Sequence, residues 1–253
     1  MKYTTETYDQ LIQRSYGYSV KEQASWDWKL MRYLYEKYYL NTDGDAVIPK
    51  VIHQIWIGGD VPKVYIPFME SWKTHHPDWT YKFWDEGDAD RMLANNPVYQ
   101  RSNNNGMKSD ILRYAILQQE GGIYIDTDFE CLHPLDDLMY LKFFTGLSYD
   151  AKLVFYIGLI GSVPNHPIMR YCVDEAKIYP GDNAMVIMDS SGNYHFTRSF
   201  LKGVMEDQDK VVAFPMDFFY PLPNNQRNTN DPYAFIRPCS YAIHHWAVSW
   251  IVK

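Results

Sequence analysis

Cysteine is scarce in this 253-residue chain, which has only Cys131, Cys172 and Cys239. Three cysteines far apart support neither a disulfide framework nor a zinc site, so we expect free thiols and a cytoplasmic protein. The chain begins without a charged segment followed by an apolar one, and no stretch approaches about 18 consecutive apolar residues. We therefore expect neither an export signal nor a transmembrane segment.

The chain also lacks an excess of basic residues. Its 24 Lys and Arg are outnumbered by 31 Asp and Glu, which gives a net charge of −7. A broad basic surface for a nucleic-acid backbone is therefore not expected. A small diphosphate could still bind where a metal ion and one or two cationic side chains neutralise it locally.

Aromatic residues, in contrast, are abundant, with 22 Tyr, 12 Phe and 8 Trp. Flat rings often cover the apolar face of a sugar or a base, although most Tyr side chains in such a chain simply cover the surface. The hydrophobic content of 46% is enough for one sizeable core, or for a core and a small accessory domain.

The most informative motif is Gly-Gly-Ile-Tyr-Ile-Asp-Thr-Asp at residues 121–128. Ile123 and Ile125 alternate as the buried face of a strand should. The carboxylates of Asp126 and Asp128 then lie on the same side at the strand's end. Such a pair suits Mg²⁺ or Mn²⁺, which keep coordination positions open for phosphates. Asp-x-Asp also occurs by chance in surface turns, so the motif alone does not establish a metal site.

A predicted helix leads directly into this strand. Residues 109–117 place Asp110 and Arg113 three positions apart, on one helix face. The two side chains could form a solvated ion pair. Because glycines end the helix immediately before the strand, the same face could instead approach Asp126 and Asp128.

From Ile48 onward, short apolar strands alternate with helices, which predicts an α/β fold with a largely parallel sheet and helices on both faces. Ligands of such sheets bind at the carboxyl ends of the strands. Residues 1–46 are predicted to be a helical N-terminal appendage, and residues 47–253 a catalytic domain. Beyond the Asp-x-Asp motif we predict strands over 142–148 and 153–157, and helices over 165–176 and 190–205.

Several segments resemble, in the same order, the Asp-x-Asp sugar-nucleotide glycosyltransferases (glycosyltransferase family 32). That family includes yeast-type initiating α-1,6-mannosyltransferases and bacterial capsule and lipopolysaccharide enzymes and is distantly related to the glucosylating clostridial toxins. The similar segments are Ile48–Gly59, Ser71–Asp85, Ser109–Arg113, Gly121–Asp128, Leu132–Leu135 and His244–Trp250. The resemblance implies a GT-A type, Rossmann-like fold. It also implies a metal-dependent, retaining transferase that moves a hexose from UDP or GDP to a saccharide acceptor, in surface polysaccharide biosynthesis.

The resemblance implies a metal site at the Asp-x-Asp motif. Asp128 would coordinate Mn²⁺ or Mg²⁺ directly, and Asp126 would bind ribose or sugar hydroxyls and reach the metal through water. His244 would add a ligand from the closing motif, since imidazole binds Mn²⁺ as well as zinc. His245 is the alternative ligand. Adjacent strand residues point in opposite directions, so only one of the two is expected to bind.

The resemblance also implies contacts to the donor. Asp110 would accept hydrogen bonds from sugar hydroxyls, and Arg113 would grip the sugar or neutralise the phosphates. Trp56 would stack on a uracil or guanine base. Ser249 and Trp250 would hydrogen-bond the β-phosphate, and these bonds would strengthen as the leaving diphosphate gains charge.

Two further residues are interpreted without a direct role in the reaction. Asn193 stands where relatives have the proline of a Gly-Pro pair, which leaves the acceptor contacts of that loop open. His53 has no partner motif and is expected to be structural.

Other functions fit the same donor residues. A toxin-like effector would transfer the sugar to a host protein, and a carbohydrate-binding module would not react at all. A module would not need Asp110, Arg113, Asp126, Asp128 and the Ser249–Trp250 pair together.

A lipid-linked acceptor would require contact of the enzyme with the inner membrane face. The N-terminal helix could supply that contact, or it could simply pack on the core. Its rings and cations are Trp26, Trp28, Tyr33, Tyr35, Tyr38, Tyr39, Lys21, Lys29, Arg32 and Lys37.

Overall fold

The structure, a computed structural model, describes residues 3–16, 25–41, 43–147, 153–181 and 183–247. Its strands are β1 (Val51–Ile55), β2 (Thr80–Trp84), β3 (Gly122–Ile125), β4 (Phe129–Cys131), β5 (Phe143–Leu147), β6 (Phe155–Ser162), β7 (Val211–Phe214) and β8 (Ala242–His244). Its α-helices are α1 (Tyr8–Tyr16), α2 (Trp26–Leu34), α3 (Ile66–His75), α4 (Glu86–Met92), α5 (Pro97–Arg101), α6 (Asn105–Glu120), α7 (Pro167–Asp174), α8 (Ala184–Ser190) and α9 (Asn193–Glu206). A π-helical turn, Tyr35–Leu40, continues α2.

Six strands form one sheet in the order β2-β1-β3-β6-β5-β7, and β4 pairs with β8 in a separate ladder. In the larger sheet, β6 is antiparallel to both of its neighbours, whereas the other pairings are parallel. Five strands therefore run in one direction and β6 runs in the other. The largely parallel α/β sheet flanked by helices is confirmed. The chain between β5 and β6 is too short for a parallel crossover, which needs about a dozen residues, so these two strands are antiparallel.

The strand that carries the Asp-x-Asp motif is held from both sides. All four residues of β3 are buried, and helix α6 packs against β3 and β6. Directly after the motif, the indole N–H of the fully buried Trp72 in α3 donates to the carbonyl of Phe129 in β4 at 2.9 Å. His53 in β1 contacts the carbonyl of Gly121 at 3.0 Å and accepts from the indole of Trp84. These contacts fix the backbone on either side of the motif.

The N-terminal helices pack on the far edge of the sheet. The rings of Tyr35 and Tyr39 lie 6.1 and 5.0 Å from that of Phe214 in β7. Trp28 and Tyr38 are also buried, so most of the aromatic residues of this segment belong to the same hydrophobic core as the sheet. Exposed rings remain at Trp26 and Tyr33.

The elements beyond the Asp-x-Asp motif differ in detail from the predicted ones. Strand β6 continues to Ser162, well past the predicted end at Ile157, because the following apolar run is buried on both faces. Helix α8 and the strands β4, β7 and β8 had no prediction, since short apolar runs of this kind carry an ambiguous periodicity signal. Ser148, the last residue of the strand predicted over 142–148, and Lys21 of the predicted N-terminal helix lie outside the described residues.

Within the described ranges, no helix combines the length and the apolar character that crossing a membrane requires.

Two Gly→Ala substitutions should differ in their effect on the stability of the fold. A β-carbon at Gly203 in α9 would stand 2.6 Å from the backbone of Ile168 in α7, so Gly203→Ala should destabilise the fold by about 1–3 kcal/mol. At Gly87 in α4 the nearest atoms are Arg91 Nη1 and Asp85 Oδ1, each 3.3 Å away, and Asp85 Oδ1 also caps the helix by accepting from Asp88. The gain in helix propensity is then offset by a small shift of this cap, so Gly87→Ala should change the free energy of unfolding by less than about 1 kcal/mol. Urea unfolding of both variants measures this difference, and equal shifts in the midpoint would contradict the packing described.

Candidate active site

A cleft of about 480 Å³ opens at the carboxyl ends of β1 and β3. Because β6 is reversed, its first residues lie at the same edge and line the cleft as well. The remaining walls come from the first half of α6, from α8 and from the C-terminal segment. The lining residues include Trp56, Ser109, Asp110, Arg113, Tyr124, Asp126, Asp128, Ile157, Gly158, Asn193, His244 and Ala247.

The buried guanidinium of Arg113 binds protein acceptors with all five of its N–H groups. Nη1 donates to Asp126 Oδ1 at 3.1 Å and to the carbonyl of Ile157 at 2.9 Å. Nε donates to the carbonyl of Ser109 at 3.4 Å, and Nη2 donates to Ser109 Oγ and Asp110 Oδ1 at 3.2 and 3.0 Å. Arg113 therefore ties α6 to β3 and β6. A hydrogen bond to a phosphate would have to replace one of these contacts.

Asp126 is oriented by its neighbours through one carboxylate oxygen. Oδ1 accepts from Arg113 and from the hydroxyl of Tyr124, the latter at 2.6 Å. Oδ2 lies over Gly158, where a β-carbon would come within 2.8 Å of it. Glycine at this position thus lets the carboxylate lie against β6, and Oδ2 remains available to a ligand.

Gln54 is a site residue that sequence reasoning missed. It is fully buried in β1, and its Nε2 donates to the carbonyl of Asp126 at 3.2 Å. Its Oε1 accepts from the hydroxyl of Tyr81 at 2.5 Å. A glutamine inside an apolar strand needs partners for its amide, and this unusual placement is the signal that could have identified it.

Asp110 is also buried, and both of its oxygens have partners. Oδ1 contacts Arg113, and Oδ2 accepts from the hydroxyl of Ser191 at 2.9 Å. Burial disfavours the charged carboxylate and raises the pKa of Asp110 to about 6, although Arg113 and Ser191 act in the opposite direction. Ser191 precedes Gly192 and Asn193, which line the cleft, so this bond joins α6 to the start of α9.

The ladder of β4 and β8 brings the C-terminal segment to the Asp-x-Asp motif. Phe129 pairs with His244 across the ladder, and their rings stack with centroids 4.3 Å apart. His244 Nε2 donates to Asp128 Oδ1 at 3.0 Å, and the backbone N–H of Ala247 donates to Asp128 Oδ2 at 2.7 Å. Burial alone would raise the pKa of Asp128, but attraction to His244 and these hydrogen bonds lower it.

Asp126, Asp128 and His244 form a set that fits a divalent cation. One ligand atom of each lies within 4.8 Å of the other two. His244 Nδ1 is buried and has no hydrogen-bond partner among the described residues. Two carboxylates and one imidazole are ligands that Mn²⁺ accepts. The structure thus brings together the three residues that we predicted as metal ligands, while metal binding itself stays a prediction.

The second histidine of the closing motif points away from this set. His245 Nε2 lies 3.0 Å from Glu130 Oε2, and its ring stacks on Phe68 with centroids 4.1 Å apart. Of the two candidates, only His244 faces the carboxylates of the cleft.

Trp56 lines the cleft directly after β1, with its ring 5.8 Å from that of Tyr65. Its indole N–H is buried without a partner among the described residues. Stacking of Trp56 on a base stays a prediction. Ser249 and Trp250 lie outside the described residues, so their predicted contacts to the β-phosphate stay predictions as well.

Comparison with known proteins agrees with this geometry. Residues 62–144 match the family model described as a glycosyltransferase sugar-binding region containing a DXD motif. An uncharacterized glycosyltransferase of Acanthamoeba polyphaga mimivirus is 33% identical over 200 residues, which cover 74% of this chain and 78% of the viral protein. The chain belongs to this DXD glycosyltransferase family. It is a transferase enzyme, and the resemblance inferred from its motifs is confirmed.

Other relatives of this glycosyltransferase come from yeasts. Inositol phosphoceramide mannosyltransferase 2 of Schizosaccharomyces pombe is 33% identical over 53% of this chain, and a mannosyl phosphorylinositol ceramide synthase of Saccharomyces cerevisiae is 31% identical over 58%. The glycosyltransferase spans only 40% of the length of each of these two relatives. Among solved structures, the PaToxG glycosyltransferase superposes with a TM-score of 0.49 at 20% identity, over 75% of this chain and 81% of that one.

The raised pKa of Asp110 predicts a pH-dependent stability. The folded protein holds the Asp110 proton to a higher pH than the unfolded chain does, so a protonated Asp110 stabilises the fold relative to an ionised one. This contribution to the free energy of unfolding is fully present below about pH 4 and is lost as the pH rises through about 6. Unfolding free energies of the wild type and Asp110→Asn, measured between these pH values, should differ in slope, with the steeper fall in the wild type. Parallel curves would contradict the burial of an ionisable Asp110.

Asp128→Asn should reduce glycosyl transfer at least about a hundredfold, because the charge that complements a cation is removed. Asn keeps the shape of Asp but has a single acceptor oxygen for the two donors, so a modest fall in melting temperature is expected as well. Glu130→Gln is the matched control, since Glu130 also pairs with a histidine of the closing motif but outside the cleft. Equal losses of activity in the two variants, or a loss of activity that follows the melting temperature, would assign Asp128 a structural role.

Proposed function

We propose that this glycosyltransferase is metal-dependent and retaining, and that it moves a hexose from a nucleoside diphosphate to a hydroxyl acceptor. The observation that supports this most strongly is the convergence of Asp126, Asp128 and His244 in the cleft that also holds the buried Asp110–Arg113 pair.

In this proposal, Asp126, Asp128 and His244 would hold Mn²⁺ or Mg²⁺. A cation bound there would supply Lewis-acid stabilisation to the diphosphate leaving group. Asp110 and Asp126 are kept in place by Arg113 before any ligand arrives. Their remaining lone pairs accept hydrogen bonds from sugar hydroxyls, and preorganised acceptors of this kind need no reorganisation during the reaction.

The order of the sheet suggests how the donor lies in the cleft. β1, β3 and β6 are adjacent, and Trp56, Asp126 and Gly158 stand at the same edge of these three strands. A base stacked on Trp56 and a diphosphate at Asp126 and Asp128 place the hexose towards β6 and α8. The acceptor then approaches from the side of Asn193. Ser249 and Trp250 would complete the contacts to the β-phosphate.

Retention of the anomeric configuration is explained most simply if the acceptor hydroxyl attacks the same face of the sugar that the diphosphate leaves. The departing phosphate would assist this displacement. A covalent intermediate would require a carboxylate free to attack the anomeric carbon. Among the described residues of the cleft, both oxygens of Asp110 and of Asp128 are engaged by protein groups, and the remaining oxygen of Asp126 is the one we assign to the cation. We therefore propose no covalent glycosyl-enzyme.

The acceptor we propose is a saccharide or polyol hydroxyl on a lipid carrier. Two relatives are named for mannosyl transfer to inositol phosphoceramide, and another is named an initiation-specific α-1,6-mannosyltransferase. These names favour a mannose nucleotide among the possible UDP- and GDP-hexoses. Both glycolipid mannosylation and surface polysaccharide assembly, including capsule and lipopolysaccharide, supply acceptors of this chemistry.

A donor screen tests the proposal. Purified protein with Mn²⁺ is incubated with a panel of UDP- and GDP-hexoses, and released UDP or GDP is measured with and without acceptor. We expect turnover of one donor, loss of that turnover with a chelator, and recovery when Mn²⁺ or Mg²⁺ is returned. Full activity after removal of divalent cations would contradict the proposed role of Asp126, Asp128 and His244.

A further inference from the structure

Helix α8 is apolar on its exposed side as well as on its buried side. Residues 184–188 read Ala-Met-Val-Ile-Met, a run of five apolar residues. Ile187 is buried, Val186 and Met188 are half-buried, and Met185 has an exposed fraction of 56%. A surface helix normally presents polar residues to solvent. The contiguous apolar surface of α8 therefore indicates a binding surface.

The position of α8 at the cleft is fixed by buried contacts at its C-terminal end. The carbonyl of Ser191 accepts from the hydroxyl of the fully buried Tyr114 at 2.6 Å, and Ser191 Oγ donates to Asp110 Oδ2 at 2.9 Å. A β-carbon at Gly192 would stand 2.9 Å from the Cα of Met188, so the turn after α8 packs directly against the helix. α8 is consequently a fixed wall of the cleft.

The cleft has two chemically different halves. Among its described lining residues, every charged side chain comes from α6, from the Asp-x-Asp motif or from the C-terminal segment. The lining on the side of β6 and α8 is uncharged and consists of Val154, Tyr156, Ile157, Gly158, Ile187 and Met188.

The apolar half of the cleft continues outward along α8. Met188 lines the cleft, and Met185 lies three residues earlier, so the two side chains share one face of the helix. Asp189, the charged residue of α8, pairs with Arg198 of α9 at 2.8 Å. The outward path is therefore apolar and carries no unpaired charge.

The acceptor is the ligand that would meet this path. In the proposed function the diphosphate of the donor lies at Asp126 and Asp128, in the charged half of the cleft. The acceptor hydroxyl then enters beside Asn193, where α9 begins shortly after α8 ends. The group that carries this hydroxyl continues over α8, the wall on that side. An apolar chain is favoured there, because each methylene removed from water strengthens binding up to about fourfold.

We propose that α8 binds the apolar chain of an amphiphilic acceptor. The hydroxyl-bearing head group lies beside Asn193, and the alkyl or acyl chain runs along Met188 and Met185. This inference rests on the proposed function and narrows the acceptor to a head group joined to an apolar chain. Methionine suits this role, because its unbranched thioether side chain adapts to chains of different shape. A partner protein on α8 would cover the side from which the acceptor enters, so the geometry favours the acceptor itself.

Methyl resonances of carbon-13-labelled methionines test this contact without requiring turnover. Octyl α-mannoside is added below its micelle-forming concentration, and methyl α-mannoside serves as the probe without a chain. We expect the resonances of Met185 and Met188 to shift with the octyl compound only. Met205 is also exposed, at 62%, but lies roughly 18 Å along α9 from Asn193, so its resonance should not move. Replacement of each of these methionines by Leu assigns its resonance.

A series of alkyl mannosides from methyl to octyl measures the contribution of the chain. In the wild type, each added methylene that contacts α8 should tighten binding by about two- to fourfold, depending on how fully it is buried. Met185→Gln/Met188→Gln keeps the length of the side chains but makes them polar, and it should abolish most of this dependence. Met185→Gln alone, at an exposed position that the fold does not need, should weaken it. The matched control, Met205→Gln, should keep the wild-type dependence.

Several results would overturn the inference. They are the absence of any shift, equal shifts of Met185, Met188 and Met205, and a chain-length dependence that survives in Met185→Gln/Met188→Gln or is lost equally in Met205→Gln. The donor screen described above separates this inference from the proposed function. Turnover of a donor without binding at α8 would exclude the apolar acceptor and leave the proposed function intact. Binding at α8 without turnover of any UDP- or GDP-hexose would contradict the proposed function, and the apolar site would then not be an acceptor site.

Discussion

The buried contact between Asp128 and His244 is the interaction on which the candidate active site depends. It joins a residue that follows β3 to one near the end of the described chain, and the β4–β8 ladder holds both in register. The ladder, together with the bond from the indole N–H of Trp246 to the carbonyl of Leu222, fixes the C-terminal segment relative to the sheet. This segment supplies one wall of the cleft and one of its three candidate metal ligands.

A second network, centred on Arg113, prepares the other half of the cleft. Breaking a buried ion pair by removing one partner is strongly destabilising, because it leaves an uncompensated charge. Arg113 is shared by Asp110 and Asp126, and it also binds the backbone of β6. We infer that its main contribution is to position the two carboxylates. A direct phosphate contact, as the family resemblance implied, would require Arg113 to give up one of these bonds.

The sequence was sufficient to predict the part of the site that local pattern encodes. The alternation of Ile123 and Ile125 located the strand before Asp126 and Asp128, and the spacing of Asp110 and Arg113 correctly placed both on one helix face. The order of the motifs, and not any single motif, identified the family.

Contacts between distant parts of the chain could not be predicted in this way. Nothing in the local pattern of β1 pairs Gln54 with the backbone of Asp126, and β4 and β8 are each only three residues long. The aromatic residues around α2 were correctly located on a helix. Which of them face the core depends on the packing of Tyr35 and Tyr39 against β7, and this tertiary contact leaves Trp26 and Tyr33 exposed.

Binding of one metal ion by Asp126, Asp128 and the distant His244 is tested most directly by pulsed electron paramagnetic resonance of Mn²⁺. Mn²⁺ bound to the wild-type protein should show coupling to an imidazole nitrogen. This coupling should disappear in His244→Ala and persist in His245→Ala, because only His244 faces Asp126 and Asp128. Bound Mn²⁺ without nitrogen coupling, or a coupling that survives in His244→Ala, would contradict this account.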